Sequence, residues 1–312
     1  MKKHIIHDKK MNCTTIGNSA VNSYVLAVFS ELAYMDFTDQ QIPLDIKAKI
    51  QMIGNQIKTG KGIEAQSLKY YFSKNKDVYD ILCEYSDTSR INDIDTIAAN
   101  WEISIQRPAS CEYRTIFDRL YTRSKGKPIV SMFTVFLNHN TKEAVIAWRG
   151  TDFKHQPLQL FVHDFLFYPF GNLPEVEDAL FAENAIRLLF SKKTPSNFEK
   201  FSDYKIYITG HSLGGLLALV TAAELCKNGL EPEGVEIFNG LGMKRLKDIN
   251  YHKYMKSLKC LGDKGKIKSH GIKGDIICHL GEHFCPLHIY ERNNSYSYSF
   301  PKSHDILNFL HS

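Results

Sequence analysis

The sequence predicts an α/β fold, with a mostly parallel central sheet flanked by helices and a helical part at the N-terminus. Two observations carry this. Short β-rich runs alternate with helical stretches over the C-terminal two thirds of the chain, and a sheet whose strands are joined through helices is the ordinary way to bury both. One junction, IYITGHSLGGLLAL at residues 206–219, passes from a strand-like run through a glycine turn straight into a small-residue helix.

The elements follow in order. Val21, Tyr24, Val25, Val28, Phe29 and Leu32 share one stripe of a helix within Val21 to Tyr34. Ile46, Ile50, Ile53 and Ile57 recur at helical spacing before the TGKG break. Up to about Ser124 the chain reads as helical or irregular. From Gly126 the character changes: Pro128 to Leu137 and Glu143 to Trp148 are β-rich, and NHNTK between them has hairpin-turn composition. Pro174 to Phe190 has near-helical spacing. Lys205 to Thr209 is a short strand, and Leu213 to Lys227 is a small, apolar helix that stops at Asn228-Gly229. Val235 to Phe238, Lys266 to Ile272 and Leu287 to Glu291 are further strand candidates. Without repeats, low-complexity tracts or a Pro/Gly/Ser-rich linker, a single domain over residues 1–312 is expected, with 1–125 as helical cover and 126–312 as the sheet core.

Bulk properties narrow the function classes. With 312 residues, 43% hydrophobic and 12% aromatic, the chain can bury a large core. A net charge of +5 from 39 basic and 34 acidic residues leaves no electrostatic footprint for nucleic acid, and room only for a weak preference for anionic lipid surfaces. The N-terminal MKKHIIHDKKMN lacks the apolar run of a signal peptide, and no stretch approaches the roughly 18 apolar residues of a membrane span. Seven scattered cysteines read as reduced thiols. A cytoplasmic setting is the default expectation, with export without a cleaved signal still open.

The chemistry centres on GHSLG. A G-x-S-x-G match is cheap alone, but here a strand leads in and a helix leads out, the context that makes such a turn a nucleophile elbow. Gly210 and Gly214 remove side chains that would collide across the turn. Ser212 Oγ would then project at a helix N-terminus, where free N–H groups and the positive end of the dipole face a developing oxyanion. The N–H of Leu213 is the first donor. Gly150-Thr151 in WRGTD, at the end of a strand, offers Thr151 as the second; otherwise it only starts a turn.

A serine nucleophile needs a base and an orienting acid. Asp275, directly after the strand candidate 266–272, is favoured over Asp263, which precedes that strand. Among the later histidines, His279 and His283 lie close to Asp275 in sequence, His288 falls inside a strand and His311 is next to the last residue. His304 follows a strand and a polar loop and opens a short helix, HDILNFL, with Ser303 as its N-cap.

With these residues assembled, the chain resembles the class 3 lipase family of the α/β-hydrolase superfamily. The matching segments are AWRGT, ITGHSLGG, IKGDIICHL, SHDILNFL and the early NSYVLAVFSELAY, in the same order and spacing over Ala20 to about Leu310. The resemblance implies an α/β-hydrolase fold and a lipase or phospholipase type of ester hydrolysis without metal or other cofactor. It implies Ser212 as nucleophile, Asp275 as acid and His304 as base, with Thr151 and Leu213 as the oxyanion hole. A lid follows the arginine-glycine segment in the family; here that position holds 153–170, where Phe153 and Phe165 are candidates for an acyl-binding wall, with core packing as the alternative. A lipid ester is the implied partner, with peripheral membrane contact and no nucleic acid. The chain departs from the family in reading GNLPEVEDALF where a valine-histidine-x-glycine-phenylalanine segment is common. It also reads IFNGLGM in place of phenylalanine-glycine-x-proline.

Three rivals stay open. His279, Glu282 and His283 spell H-x-x-E-H, a zinc spacing when helical, though Gly281 and Cys285-Pro286 argue for a loop. An acyltransferase would use the same triad with another acceptor. A non-catalytic binding module on the same fold would need none of the three.

Overall fold

Strands without polar alternation need cover on both faces. Phe133–Asn138 (β4) and Glu143–Trp148 (β5) are buried at every position. The computed structural model describes residues 5–8, 11, 19–35, 66–106, 133–150, 203–243, 251–291 and 302–310. Among these, nine strands form one sheet in the order β1-β9-β8-β7-β6-β5-β4-β3-β2. β5, Lys205–His211 (β6), Gly234–Phe238 (β7), Ile267–Ile272 (β8), Leu287–Tyr290 (β9) and Ile5–Asp8 (β1) run parallel. Beyond β5, β4, Glu102–Gln106 (β3) and Gln66–Ser67 (β2) continue the sheet antiparallel. This is the α/β-hydrolase architecture that the sequence predicts.

Alternate residues of each central strand face opposite layers. Ala144, Ile146 and Trp148 of β5, with Val235 and Ile237 of β7, meet one core. That core includes Leu213–Lys227 (α5) and Tyr254, Leu258 and Leu261 of Tyr251–Asp263 (α6). Residues 213–225 of α5 are all buried, as befits a helix trapped between a sheet and a second helix. Val145 and Ala147 face the other core. There Ser23–Leu32 (α1) packs with Leu68–Lys74 (α2), Lys76–Tyr85 (α3) and Ile91–Asn100 (α4). α1 begins at Asn22, whose side chain accepts from Val25 N–H, and Phe29 stacks on Phe136 at 4.4 Å.

The hairpin forms where the turn composition places it. Asn138 Oδ1 accepts from the N–H groups of Asn140 and Thr141, and Lys142 takes the positive φ. β4 is described from Phe133; residues 128–132, the stretch holding Ile46 to Ile57, and Pro174 to Phe190 lie outside the described residues. Three strands, β1, β2 and β3, lie within the first 125 residues, where the sequence predicts helical or irregular chain. Each is two to five residues long and is stabilised by pairing with a distant partner, β1 with β9 at the opposite end of the chain. Pairing of that range leaves no local periodicity to read. Among the described residues, no helix is long and apolar enough to cross a membrane.

Parallel strands gather their C-terminal ends on one side, the side where open α/β sheets bind ligands. β6, β7 and β8 end there at His211, Phe238 and Ile272; Ser212 and Asn239 come next after the first two, and Asp275 follows the third after two intervening residues, Lys273 and Gly274.

Candidate active site

Ser212 joins β6 to α5 with φ +55° and ψ −125°, a strained conformation for a residue with a side chain. The turn is held by Ser212 N–H donating to Phe238 O and by Gly215 N–H donating to Ser212 O. Its closeness explains the glycines. A Cβ on Gly210 would lie 2.2 Å from Gly214 O, and one on Gly214 would lie 2.3 Å from Trp148 O. The first turn of α5 therefore sits directly on the end of β5. Gly150 runs beside it, with room for no Cβ against His211 O.

Three side chains distant in sequence meet here. Ser212 Oγ is 2.8 Å from His304 Nε2, and His304 Nδ1 is 2.5 Å from Asp275 Oδ2. Asp275 follows β8 through Lys273-Gly274, where Gly274 takes φ +90° and Asp275 N–H donates back to Ile272 O. Its other oxygen accepts from Ile277 N–H at 2.6 Å and Cys278 N–H at 2.9 Å. Oδ1 of Asp275 thus accepts twice from the backbone while Oδ2 faces one imidazole nitrogen, and the other imidazole nitrogen faces the serine hydroxyl. All three residues are buried, at 3% exposure or less.

Two further residues hold the histidine loop. His211 Nε2–H donates to the backbone carbonyl of His304 at 2.6 Å, and Tyr34 O–H donates to His211 Nδ1 at 2.8 Å. Burial, and then the proximity of His304, pushes the His211 pKa well below the usual histidine range, so this imidazole stays neutral and its tautomer is set. Asn239 Nδ2 donates to Ser303 O. Sequence reasoning passes over both. His211 is the variable position of G-x-S, and Asn239 lies in IFNGLGM, whose departure from the family pattern is the one signal that marks it.

The remaining sequence-predicted residues fall as follows. Leu213 opens α5, so its N–H lies among the N-terminal donors that have no intrahelical acceptor. Thr151, Phe153, Phe165 and His311 lie outside the described residues. Asp263 ends α6 on the exposed surface before β8. His288 bonds Asp8 across the β9–β1 pair. The predicted helix opening at His304 is instead two 3-10 turns, Lys302–His304 and Ile306–Phe309, and Asp305 rather than Ser303 caps the second. Asp305 Oδ1 reaches Leu307 N–H, so His304 closes a turn instead of opening a helix. The H-x-x-E-H segment is a 3-10 turn, Ile277–His279, followed by a loop in which Gly281 takes φ +79°. His283 bonds Ser269 Oγ and Cys278 O there, and among the described residues no three His, Cys, Asp or Glu side chains are placed to hold a metal.

The family described as lipase (class 3) matches residues 145–282, a span that holds the elbow and Asp275. Over that span the chain is similar to the class 3 lipases. The match supports an ester-hydrolysing serine hydrolase whose substrate class is a lipid ester. His304 lies beyond the matched span. Similar solved structures include Lip2 lipase from Yarrowia lipolytica, at 14% identity over 95% of this chain and 86% of that one, with a TM-score of 0.45. Mono- and diacylglycerol lipase from Aspergillus oryzae is 17% identical over 62% of each chain, with a TM-score of 0.35. A lipase from Rhizopus microsporus var. chinensis is 14% identical over 74% of this chain and 69% of that one, with a TM-score of 0.30. No match was found among curated protein sequences.

Proposed function

We propose that this class 3 lipase relative cleaves a carboxylic ester through an acyl-enzyme on Ser212, with His304 as general base and acid and Asp275 as its orienting partner. The observation that supports this most is the unbroken row of hydrogen bonds Asp275, His304, Ser212 at the strained elbow. Ser212 Oγ attacks the ester carbonyl carbon while its proton passes to His304 Nε2. The carbonyl oxygen takes the negative charge and is met by Leu213 N–H, with Thr151, one residue past Gly150, as the second donor. The tetrahedral intermediate then expels the alcohol, which takes the proton from His304. Water, deprotonated by the same imidazole, repeats the sequence on the acyl-serine and releases the acid. In this reading the Asp275 carboxylate stabilises the imidazolium that forms twice per turnover.

For the substrate we propose a lipase or phospholipase type of ester with a fatty acyl chain. The phenylalanines at 153 and 165, soon after Thr151, would form its wall, and the protein would work at a lipid surface. For the setting we propose a reducing compartment such as the cytoplasm, in keeping with the scattered cysteines of the sequence.

An active-site-directed fluorophosphonate tests the assignment. Wild type should label stoichiometrically and Ser212→Ala not at all, with ester hydrolysis falling in parallel. Unlabelled wild type, or equal labelling of the variant, would sink it.

A further inference from the structure

Asn239 is the first residue past β7, is fully buried and has φ +45°, in the left-handed region that favours glycine. A turn alone would be better served by glycine. Asn239 instead makes three bonds to segments remote from its own turn. Its N–H donates to His270 O at 2.8 Å, its Oδ1 accepts from Ile272 N–H at 2.9 Å and its Nδ2 donates to Ser303 O at 3.1 Å. The amide orientation follows from its partners, since an N–H faces only the oxygen and a carbonyl only the NH2.

The two ends of that carboxamide matter. Ile272 is the last residue of β8, and its carbonyl accepts the N–H of Asp275. Ser303 immediately precedes His304. One buried side chain thus ties the strand that launches the acid to the loop that carries the base, two groups 29 residues apart in sequence. His211 fastens the same loop from the nucleophile's side, through His304 O. The two anchors are distinct: His211 links base to nucleophile, and Asn239 links base to acid.

We propose that Asn239 is a positioning residue that holds Asp275 and His304 at their bonding separation. This rests on the catalytic reading given above. The residue is where IFNGLGM parts from the family's phenylalanine-glycine-x-proline pattern, and the bridge is what asparagine adds there over glycine.

Asn239→Gly suits the positive φ and deletes only the bridge. Asn239→Asp keeps the shape and the bond from Ile272, but turns an acceptor toward Ser303 O. The test uses the full chain, with active sites titrated by fluorophosphonate and turnover followed on a soluble nitrophenyl ester. Because His211 still holds the loop, Asn239→Gly should lower kcat per titrated site about 10- to 100-fold, with KM within about twofold. Asn239→Asp should fall at least as far, and if one variant does not fold the other decides. A kcat per titrated site within about twofold of wild type in either variant, or a loss carried by KM alone, would overturn the proposal. Labelling separates the two claims. If wild type labels and Ser212→Ala does not, the function stands and the Asn239 result is judged alone; an unlabelled wild type removes the function and this proposal with it.

Discussion

Gly210→Ala perturbs the elbow without touching any reacting group. The new Cβ would start 2.2 Å from Gly214 O and 2.3 Å from Gly214 C, both backbone atoms. Real Cβ contacts do not come under 3.0 Å, so the two sides of the turn must open by about 0.8 Å. No rotamer can absorb this, because both atoms belong to the main chain of Gly214, across the turn from Gly210. An opening of that size carries Ser212 Oγ out of its 2.8 Å bond with His304 Nε2, since such bonds weaken beyond roughly 3.2 Å. Misplacement by about 1 Å costs about 100-fold in rate, equivalent to roughly 2.7 kcal/mol of barrier, and overpacking should also cost about 1–3 kcal/mol of stability. The second-order rate of fluorophosphonate labelling measures the first effect and thermal unfolding the second. Gly229→Ala, at the far end of the same 15-residue helix, is the comparison. Gly229 has φ +78° with nothing within 4 Å of an added Cβ. It should lose about 1–2 kcal/mol to backbone strain and label at the wild-type rate. A Gly210→Ala protein that labels within about threefold of wild type would refute the steric account of the elbow.

Asp275→Asn should lower kcat by about 10⁴-fold with little change in thermal stability, because an amide NH2 facing His304 Nδ1 favours the tautomer whose Nε2 cannot accept the serine proton. A loss smaller than about tenfold in steady-state turnover would contradict the tautomer argument. A separate test concerns the polar side chains that link β7, β8 and β9. There Glu236 Oε2 meets His270 Nε2 at 2.9 Å, Glu236 Oε1 meets Lys268 Nζ at 2.7 Å, and His270 Nδ1 meets Tyr290 OH at 2.9 Å. Burial opposes ionisation of Glu236, but His270 and Lys268 outweigh it and hold the carboxyl at about 2. A depressed carboxyl pKa adds stability that is whole above the ordinary value of 4.5 and is lost as pH falls toward 2. The shift corresponds to roughly 3 kcal/mol. Glu236→Gln should therefore unfold more easily than wild type in urea at about pH 7, with most of the difference gone by about pH 3. A difference that is constant with pH would contradict the pairing.

How much was legible follows the range of the interactions. Glu143–Trp148 and Leu213–Lys227 fold over the residues that their composition marks, because runs of β-branched and apolar residues or of small helix formers announce themselves locally. The elbow was legible for the same reason, since its glycines, strand and helix are contiguous. Asp275 could be preferred to Asp263 from position alone, because a loop after a parallel strand lies at the C-terminal edge and a residue before it does not.

Other features had no local signature. β1 exists only by pairing with β9. The 3-10 turns around His304 replace the helix that HDILNFL suggests, since Asp305 caps Leu307 and the Ser303 and His304 carbonyls are drawn to Asn239 and His211. That Asn239 and His211 brace the site could not be read from their neighbours in the chain. The amino-acid sequence by itself determined the α/β class, the strained turn at Ser212 and the identity of the polar groups available to it, all of which depend on residues within a few positions of one another. Only the tertiary structure decided the strand order, the meeting of Ser212, Asp275 and His304, and the bonds that brace them. Those arise when β6, β7 and β8 end side by side, a juxtaposition created by packing and not by any single segment.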